Sequence, residues 1–208
     1  DGTFTEVTDR AGLGDRSAYG MGITVGDYDN DGDDDFYLTT LHENRLFNND
    51  GGVFTEVTER ANVSGPDEWS TCSVFFDADR DGYLDLYTCG YVVWSPEEDV
   101  PCYLGNQHAY CPPEEYTGLP GRYYHNNGDG TFTERTSEAD FLPFGGKSLG
   151  VIETDVDKDG WLDLVVANDS ERNLFYHNDG DGTFTEKSVR AGVAYDERGK
   201  VRGGMGID

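Results

Sequence analysis

The chain is 208 residues long and carries 42 acidic against 15 basic residues, a formal net charge of −27. That balance excludes the basic footprint that nucleic acid or an anionic membrane surface demands, and no run of about 18 apolar residues offers a membrane span. Aromatic residues make up 13% of the chain and recur in register, which excludes the disordered class that acidity alone would suggest.

The first element in chain order, "FTEVTDRAGL" from Phe4, is also the first of four ungapped copies; the others begin at Phe54, Phe132 and Phe184, at intervals of 50, 78 and 52 residues. Self-similarity at a fixed period of this size marks a repeat architecture. Within a unit, a Gly-rich apolar run ("GMGITVG", "TCSVFF", "SLGVIE") precedes an acidic segment. An alternating run ("FYLTT", "YLDLYTC", "WLDLVVAN") follows it. A third run ("NRLFN", "RYYHN", "NLFYH") leads into an Asn/Asp-Gly turn, the strongest short hairpin signal, and then into the Phe-Thr-Glu strand. Four antiparallel strands per unit at this period predict an all-β fold of β-propeller blades. The units fall at about 18–63, 69–141 and 147–193, with an insertion at 91–122 in the second. Residues 1–13 read as the last strand of a preceding blade, and 203–208 as the first strand of a following one, where "GGMGID" echoes "YGMGIT". The chain thus starts and stops inside blades, and a ring would need further chain or neighbouring copies to close.

The acidic segments share the pattern Asp-x-Asp-x-Asp-Gly-x-x-Asp: "DYDNDGDDD" from Asp27, "DADRDGYLD" from Asp77 and "DVDKDGWLD" from Asp155. Together they hold 14 of the 42 acidic residues. Packed so tightly, these carboxylates repel one another unless a cation sits among them. Hard oxygens on alternate positions suit Ca²⁺, which takes roughly 6–8 oxygen ligands at about 2.3–2.6 Å, better than Mg²⁺, which keeps its waters. The predicted ligands are Asp27, Asp29, Asp31, Asp33 and Asp35 in the first loop, Asp77, Asp79, Asp81, Tyr83 and Asp85 in the second, and Asp155, Asp157, Asp159, Trp161 and Asp163 in the third, with the seventh position acting through its carbonyl. An EF-hand is excluded: its twelfth position needs Glu, whereas Leu38, Thr88 and Val166 stand there, and the flanks read as strands. No Cys or His occurs at zinc-ligand spacing within the loops. Three structural calcium ions would bring the net charge from −27 to −21.

Cys72 and Cys89 lie on the strands flanking the second loop, nearly opposite one another, so a cross-strand disulfide is predicted there. Cys102 and Cys111 bracket "YLGNQHAY" in the insertion and would staple a segment too polar to pack by itself. A cross pairing such as Cys89–Cys102 stays open. The even count and local spacing point to an oxidising compartment. The insertion is rich in Tyr, Trp and Pro, and Trp94, Tyr103, His108 and Tyr110 are its candidate ligand-binding residues; capping an exposed edge is the alternative use. His125 and His177 occupy the repeat position of Asn48 before the hairpin turn, which reads as structural, and no Ser or Cys stands in a nucleophile-elbow context. The Gly-rich turns precede strands rather than helices, so they are not phosphate cradles.

The combination "GDYDNDGDDDFYLTT", "NRLFNNDGGVFTEVTERANV" and "NLFYHNDGDGTFTEKSVRAGV" resembles the FG-GAP/VCBS repeats of integrin α-chain propellers and bacterial surface proteins. It is closer still to proteins resembling cartilage acidic protein, the group that often carries a C-terminal ASPIC/UnbV module, which is absent from this stretch. The resemblance implies a calcium-bound extracellular propeller, and relatives carry the insertion usually with a Cys pair. The first loop departs from the family pattern, with Asp34 where an apolar residue is usual. The chain is therefore expected to be a non-enzymatic calcium-binding module for adhesion, recognition or assembly. Its expected setting is extracellular or at the cell surface, with a periplasmic setting as a variant. Its partner would be a protein, a carbohydrate or copies of itself, without nucleic acid or membrane insertion. The alternatives are a calcium-dependent lyase or hydrolase acting on polysaccharide, and a structural subunit of a larger assembly that adds strands at its open edges.

Overall fold

The structure, a computed structural model, describes residues 2–207 except 15, 16, 98, 144 and 205. It is all-β, built as three four-stranded antiparallel sheets in the manner of propeller blades. The first comprises β1 (Gly20–Gly26), β2 (Asp35–Thr40), β3 (Arg45–Asp50) and β4 (Val53–Glu56), in that order. A single helical turn, α1 (Thr58–Ala61), follows. The second sheet joins β5 (Ser70–Phe76) and β6 (Asp85–Gly90) to β9 (Arg122–Asn126) and β10 (Phe132–Glu134). Between β6 and β9 the insertion forms a separate hairpin of β7 (Cys102–Leu104) and β8 (Gln107–Ala109), followed by a 3-10 turn at Pro113–Glu115. The third sheet is β11 (Ser148–Thr154), β12 (Asp163–Asn168), β13 (Leu174–Asn178) and β14 (Phe184–Glu186), and α2 (Ser188–Ala191) follows it.

The first strands line up: β5 packs beside both β1 and β11. Hydrogen bonds tie the sheets together at this row, from Thr39 Oγ1 of β2 to the Thr71 carbonyl of β5 at 3.0 Å and from Thr71 Oγ1 to the Ser148 carbonyl of β11 at 2.6 Å. The approach is close enough that a Cβ on Gly22 would stand 2.4 Å from the Thr71 carbonyl oxygen, so glycine is required there. Each first–second strand pair carries a bulge near its start, at Gly20/Gly22, Ser70/Ser73 and Ser148/Gly150.

The core is divided between the sheets. Tyr28, Tyr37, Leu46 and Val63 of the first unit bury against Phe75, Leu86, Tyr124 and Phe132 of the second. Phe76, Tyr87 and Tyr123 of the second, with Phe141, bury against Leu164, Val166, Tyr176 and Phe184 of the third. Alternate residues of one strand thus serve two interfaces: Phe75 faces back and Phe76 forward. Phe141 carries the second interface, with ring centroids 4.8 Å from Tyr176 and 4.7 Å from Phe184.

The two terminal segments differ from the expected strands. No strand is assigned among the described residues of 1–13 or 203–208, although the Gly204 amide donates to the Asn168 carbonyl at 2.8 Å and so lays the last segment against the third sheet. Asp208, the start of the fourth acidic copy, lies outside the described residues. The first segment nonetheless keeps its repeat role: Ala11 accepts from the Phe54 amide at 2.9 Å, as Ala139 accepts from the Phe184 amide at 2.9 Å. These turns, Arg-Ala-x in three copies and Glu-Ala-Asp at 138–140, end in a left-handed residue, Gly12, Asn62, Asp140 or Gly192.

An Asn on the third strand joins consecutive blades. Asn126 Nδ2 donates to the Tyr28 carbonyl at 2.8 Å, and Asn178 Nδ2 donates to the Ala78 carbonyl at 2.7 Å, each reaching an acidic loop of the preceding unit. Both side chains are buried. Asn178→Ala is expected to cost roughly 2–4 kcal/mol, because it opens a cavity and strands two carbonyls and the Gly180 amide. Asn178→Asp should cost at least as much, since a carboxylate cannot donate to those carbonyls. Urea unfolding in saturating calcium measures both, and a change under about 0.5 kcal/mol would refute the role.

Candidate metal centres

The three acidic loops join β1 to β2, β5 to β6 and β11 to β12, and they fold alike. The fourth position is left-handed in each (Asn30 φ 58°, Arg80 φ 62°, Lys158 φ 64°), and the Gly that follows two residues on has φ of 96°, 91° and 95°. Only a residue without a Cβ takes that second conformation at no steric cost, which is why Gly stands at the sixth position every time. The Gly amide then donates to the first Asp of its loop, at 3.0 Å (Gly32–Asp27), 3.1 Å (Gly82–Asp77) and 3.0 Å (Gly160–Asp155). The seventh-position amide donates to the fifth Asp: Asp33 to Asp31, Tyr83 to Asp81 and Trp161 to Asp159.

The ninth-position Asp closes each loop from inside the sheet. Asp35, Asp85 and Asp163 are all buried. Each accepts the second-position amide (Tyr28, Ala78 or Val156) on Oδ2 and a third-strand amide (Asn49, Asn126 or Asn178) on Oδ1. The carboxylate therefore pins the loop to the far side of its own blade.

Carboxylates converge as the spacing predicts. Asp27, Asp29 and Asp35 each bring an oxygen within 4.8 Å of the others, as do Asp77, Asp79 and Asp81, and Asp155, Asp157 and Asp163. Asp85 and Asp159 join further groups, described below. Asp31 is engaged instead by the Asp33 amide, and the Asp33 side chain turns away to accept the Gly51 amide at 2.8 Å. The Tyr83 and Trp161 rings lie against Gly128 and Gly180 of the hairpin turns. Asp34, the departure in the first loop, is exposed, whereas its counterparts Leu84 and Leu162 pack against the cores.

Two histidines enter these groups that the sequence reading assigned to structure alone. His125 Nδ1 stands 3.1 Å from Asp85 Oδ1 and 3.6 Å from Asp79 Oδ2; His177 Nδ1 stands 3.0 Å from Asp163 Oδ1 and 3.8 Å from Asp157 Oδ2. The Asp79/Asp85/His125 and Asp157/Asp159/His177 sets converge as the all-carboxylate ones do. In the first unit Asn48 takes the place, donating to Asp29 Oδ2 at 2.8 Å. The signal was their shared position in the repeat, one residue before the blade-joining Asn.

The loops leave two carboxylate oxygens unsatisfied, as a cation site would. Asp29 Oδ1 and Asp77 Oδ1 are fully buried acceptors without a hydrogen-bond donor, a costly state for carboxylate oxygens. Burial raises Asp29, and raises Asp35 and Asp85 to about 6, against the amide hydrogen bonds that favour the charged form. The loops also touch across blades: Asn30 Nδ2 donates to the Gly82 carbonyl at 2.9 Å, and the Arg80 guanidinium lies 5.2 Å from the Trp161 ring centroid.

The cysteines divide. Cys102 and Cys111 form the predicted disulfide, with Cα atoms 5.2 Å apart. Cys72 and Cys89 are free thiols, which corrects the expected cross-strand bridge and leaves the mixed pairing unmade as well. The bulge between Ser70 and Ser73 sets both Thr71 and Cys72 opposite Cys89, and the two thiols meet in a hydrogen bond without being joined. Among the predicted ligand-binding residues, Trp94, His108 and Tyr110 line one cavity of about 620 Å³, together with Trp69, Tyr91 and Tyr116. Tyr103 lies outside it, edge-on to His108 at 5.6 Å.

Among the described residues no helix is long and apolar enough to cross a membrane. The disulfide fits the extracellular setting typical of FG-GAP repeats. No curated protein matches the chain. A solved structure of an Agrocybe aegerita lectin, described for specific recognition of non-reducing terminal N-acetylglucosamine, is 20% identical over 78% of this chain with a TM-score of 0.41. The chain spans 36% of that lectin's length. A family profile for the FG-GAP-like repeat matches at residues 27–88, 115–166 and 155–201; the first match contains the first two acidic loops, and the other two both contain the third. The matched segments cover most of the sequence, and the chain belongs to the FG-GAP-like repeat family.

Proposed function

We propose that the three acidic loops hold structural Ca²⁺ and that the chain is a calcium-stabilised extracellular recognition or adhesion module, secreted or displayed at the cell surface, rather than an enzyme. The observation that carries the metal reading is the pair of buried, unpartnered oxygens on Asp29 and Asp77, each inside a converging carboxylate set. Calcium is favoured over zinc because the position that is His125 and His177 in two units is Asn48 in the other, so the donor set common to all three loops is oxygen. The imidazoles then orient the closing carboxylates.

A pH titration tests this reading. In the ion-free chain Asp35 and Asp85 hold their protons up to about pH 6, against a reference value of 3.8. Between those values the native state binds more protons than the unfolded one, so the stability of the ion-free chain falls as pH rises. Calcium needs both groups ionised, and its contribution has the opposite sign. The gain in Tm from calcium is expected to be largest above pH 7 and to shrink below about pH 6, as the first two loops lose their ionised closing carboxylates. An equal gain at pH 4.5 and 7.5, read by differential scanning calorimetry, would contradict it.

A specific observation favours assembly as a second reading. On β1, Ile23 and Val25 are 62% and 60% exposed, while Phe75, at the repeat position of Val25, is 7% exposed against the preceding blade. A further blade, from the same chain or a neighbouring copy, would cover that apolar face.

A further inference from the structure

The insertion builds a second kind of site, away from the acidic loops. Its base is pinned to the second blade: Val93 donates to the Thr117 carbonyl at 2.8 Å, and Leu119 to the Tyr91 carbonyl at 2.9 Å. Its tip is the β7–β8 hairpin, closed by the Cys102–Cys111 disulfide. Trp69 and Tyr91 lie outside the insertion or at its root; the Tyr91 amide donates to the Trp69 carbonyl at 2.9 Å, and the Tyr91 hydroxyl reaches Asp169 at 3.1 Å. The cavity of about 620 Å³ lies between that fixed floor and the stapled hairpin.

Its walls are aromatic and set at angles. The Trp69 and Tyr91 rings stand 5.2 Å apart at 72°, and Trp69 and Trp94 stand 5.8 Å apart at 63°. Rings so disposed present faces in different directions, as the sides of a box do, rather than stacking on each other. One carboxylate closes the set. Asp99 Oδ1 accepts from Trp94 Nε1 at 3.0 Å and from the Tyr116 hydroxyl at 2.8 Å, which ties two wall residues to one negative charge. Those two hydrogen bonds hold Asp99 below the usual carboxylate range, so it stays ionised. Glu114 and Asp169 add negative charge beside Tyr91, and His108 is the one basic side chain on the lining.

Negative ring faces around a fixed carboxylate, in a chain of net charge −27, select a cation with an apolar skin. We propose that this cavity binds an organic ammonium cation of the quaternary or methylated type, with the faces of Trp69, Tyr91 and Trp94 around the head group and Asp99 as its counter-charge. The cavity exceeds the head group, leaving room for the body of the ligand. A neutral sugar is the competing occupant, for which the lining offers the unpartnered Trp69 Nε1 donor, the Asp99 and His108 side chains and the tyrosine hydroxyls; the fixed carboxylate and the absence of Lys or Arg among the described residues of the lining favour the cation. The proposal rests on the recognition reading but not on the metal.

The test titrates the full chain, in calcium, with choline chloride, its neutral isostere 3,3-dimethyl-1-butanol, and a panel of neutral monosaccharides, by tryptophan fluorescence and calorimetry. Choline is expected to saturate the signal and to bind at least about tenfold more tightly than the isostere. Asp99→Asn and Trp94→Ala should each weaken choline about tenfold or more. Asp99 is exposed, so the Asn variant should keep the wild-type calcium-dependent melt, which shows the fold intact. Equal binding of choline and isostere, no response to choline, or saturation by a sugar alone overturns the proposal. Choline binding in a chain whose melting ignores calcium would instead reject the metal reading and leave this one standing.

Discussion

Asp85→Ala is expected to destabilise the chain by roughly 3–5 kcal/mol and to lower its Tm by about 10 °C or more. The side chain is 1% exposed and stands at the centre of a hydrogen-bond set. Its oxygens accept the Asn126 amide at 2.7 Å, the Ala78 amide at 3.1 Å and the Tyr123 hydroxyl at 3.1 Å, with His125 Nδ1 at 3.1 Å. Removing it leaves two amides and a buried hydroxyl without an acceptor, at about 1–3 kcal/mol for each group and not simply additive. The same substitution frees the second loop from the third strand and removes a predicted ion ligand, so calcium should recover little of the loss. Glu138→Ala, an exposed acidic residue away from the loops, is the control and should change stability by less than about 0.5 kcal/mol. Thermal and urea unfolding of both variants with and without calcium decides the matter. A Tm for Asp85→Ala within a few degrees of the parent would show that the closing carboxylate does not organise the blade.

The second large effect is expected from chelation. An ion that binds only the native state stabilises it by RT ln(1 + [L]/Kd). Extracellular calcium modules have dissociation constants of about 10⁻⁴–10⁻³ M. At about 10 mM calcium, each site then contributes roughly 1.4–2.7 kcal/mol, and three independent sites roughly 4–8 kcal/mol. For a chain of this size EDTA should lower the Tm by roughly 10–25 °C. The effect should not stay local. Loop carbonyls at Tyr28 and Ala78 accept from Asn126 and Asn178 of the next blade, so a loop pushed open by its own carboxylates loosens two blades together. Unfolding in EDTA is accordingly expected to be less cooperative as well as earlier. Magnesium at the same concentration should restore little of the loss, because it dehydrates reluctantly and favours a smaller octahedral cage.

The acidic loops were legible in the sequence because their chemistry is local. Alternate carboxylates, a Gly at the sixth position and a closing Asp at the ninth all lie within nine residues, and hydrogen bonds between near neighbours set their fold. Strand order was legible for the same reason, since hairpin turns and a period near 50 residues fix it. What escaped was set by contacts distant in the chain. Nothing near His125 indicates that its ring meets Asp85, 40 residues earlier, and nothing near Asn178 points to Ala78, 100 residues away. The four-residue helices α1 and α2 are too short to show a helical period in the sequence. Counting outward from the loop does bring Cys72 beside Cys89, and their thiols share a hydrogen bond; whether two neighbouring thiols are joined is not written in their spacing. The aromatic cavity was half legible, in that the insertion announced Trp94, His108 and Tyr110 while Trp69 reaches the site only through the fold.

The central claim is that cations held by the carboxylate loops fix these small sheets in place. Its most direct test is the number of calcium ions bound per chain at about 10 mM free calcium, well above the expected dissociation constants, by equilibrium dialysis with radiolabelled calcium and the protein quantified in the same sample. The account predicts three calcium ions per chain, falling to two in Asp85→Ala where that variant remains folded. A folded chain that carries no calcium, or carries zinc in preference when both metals are offered, would contradict it.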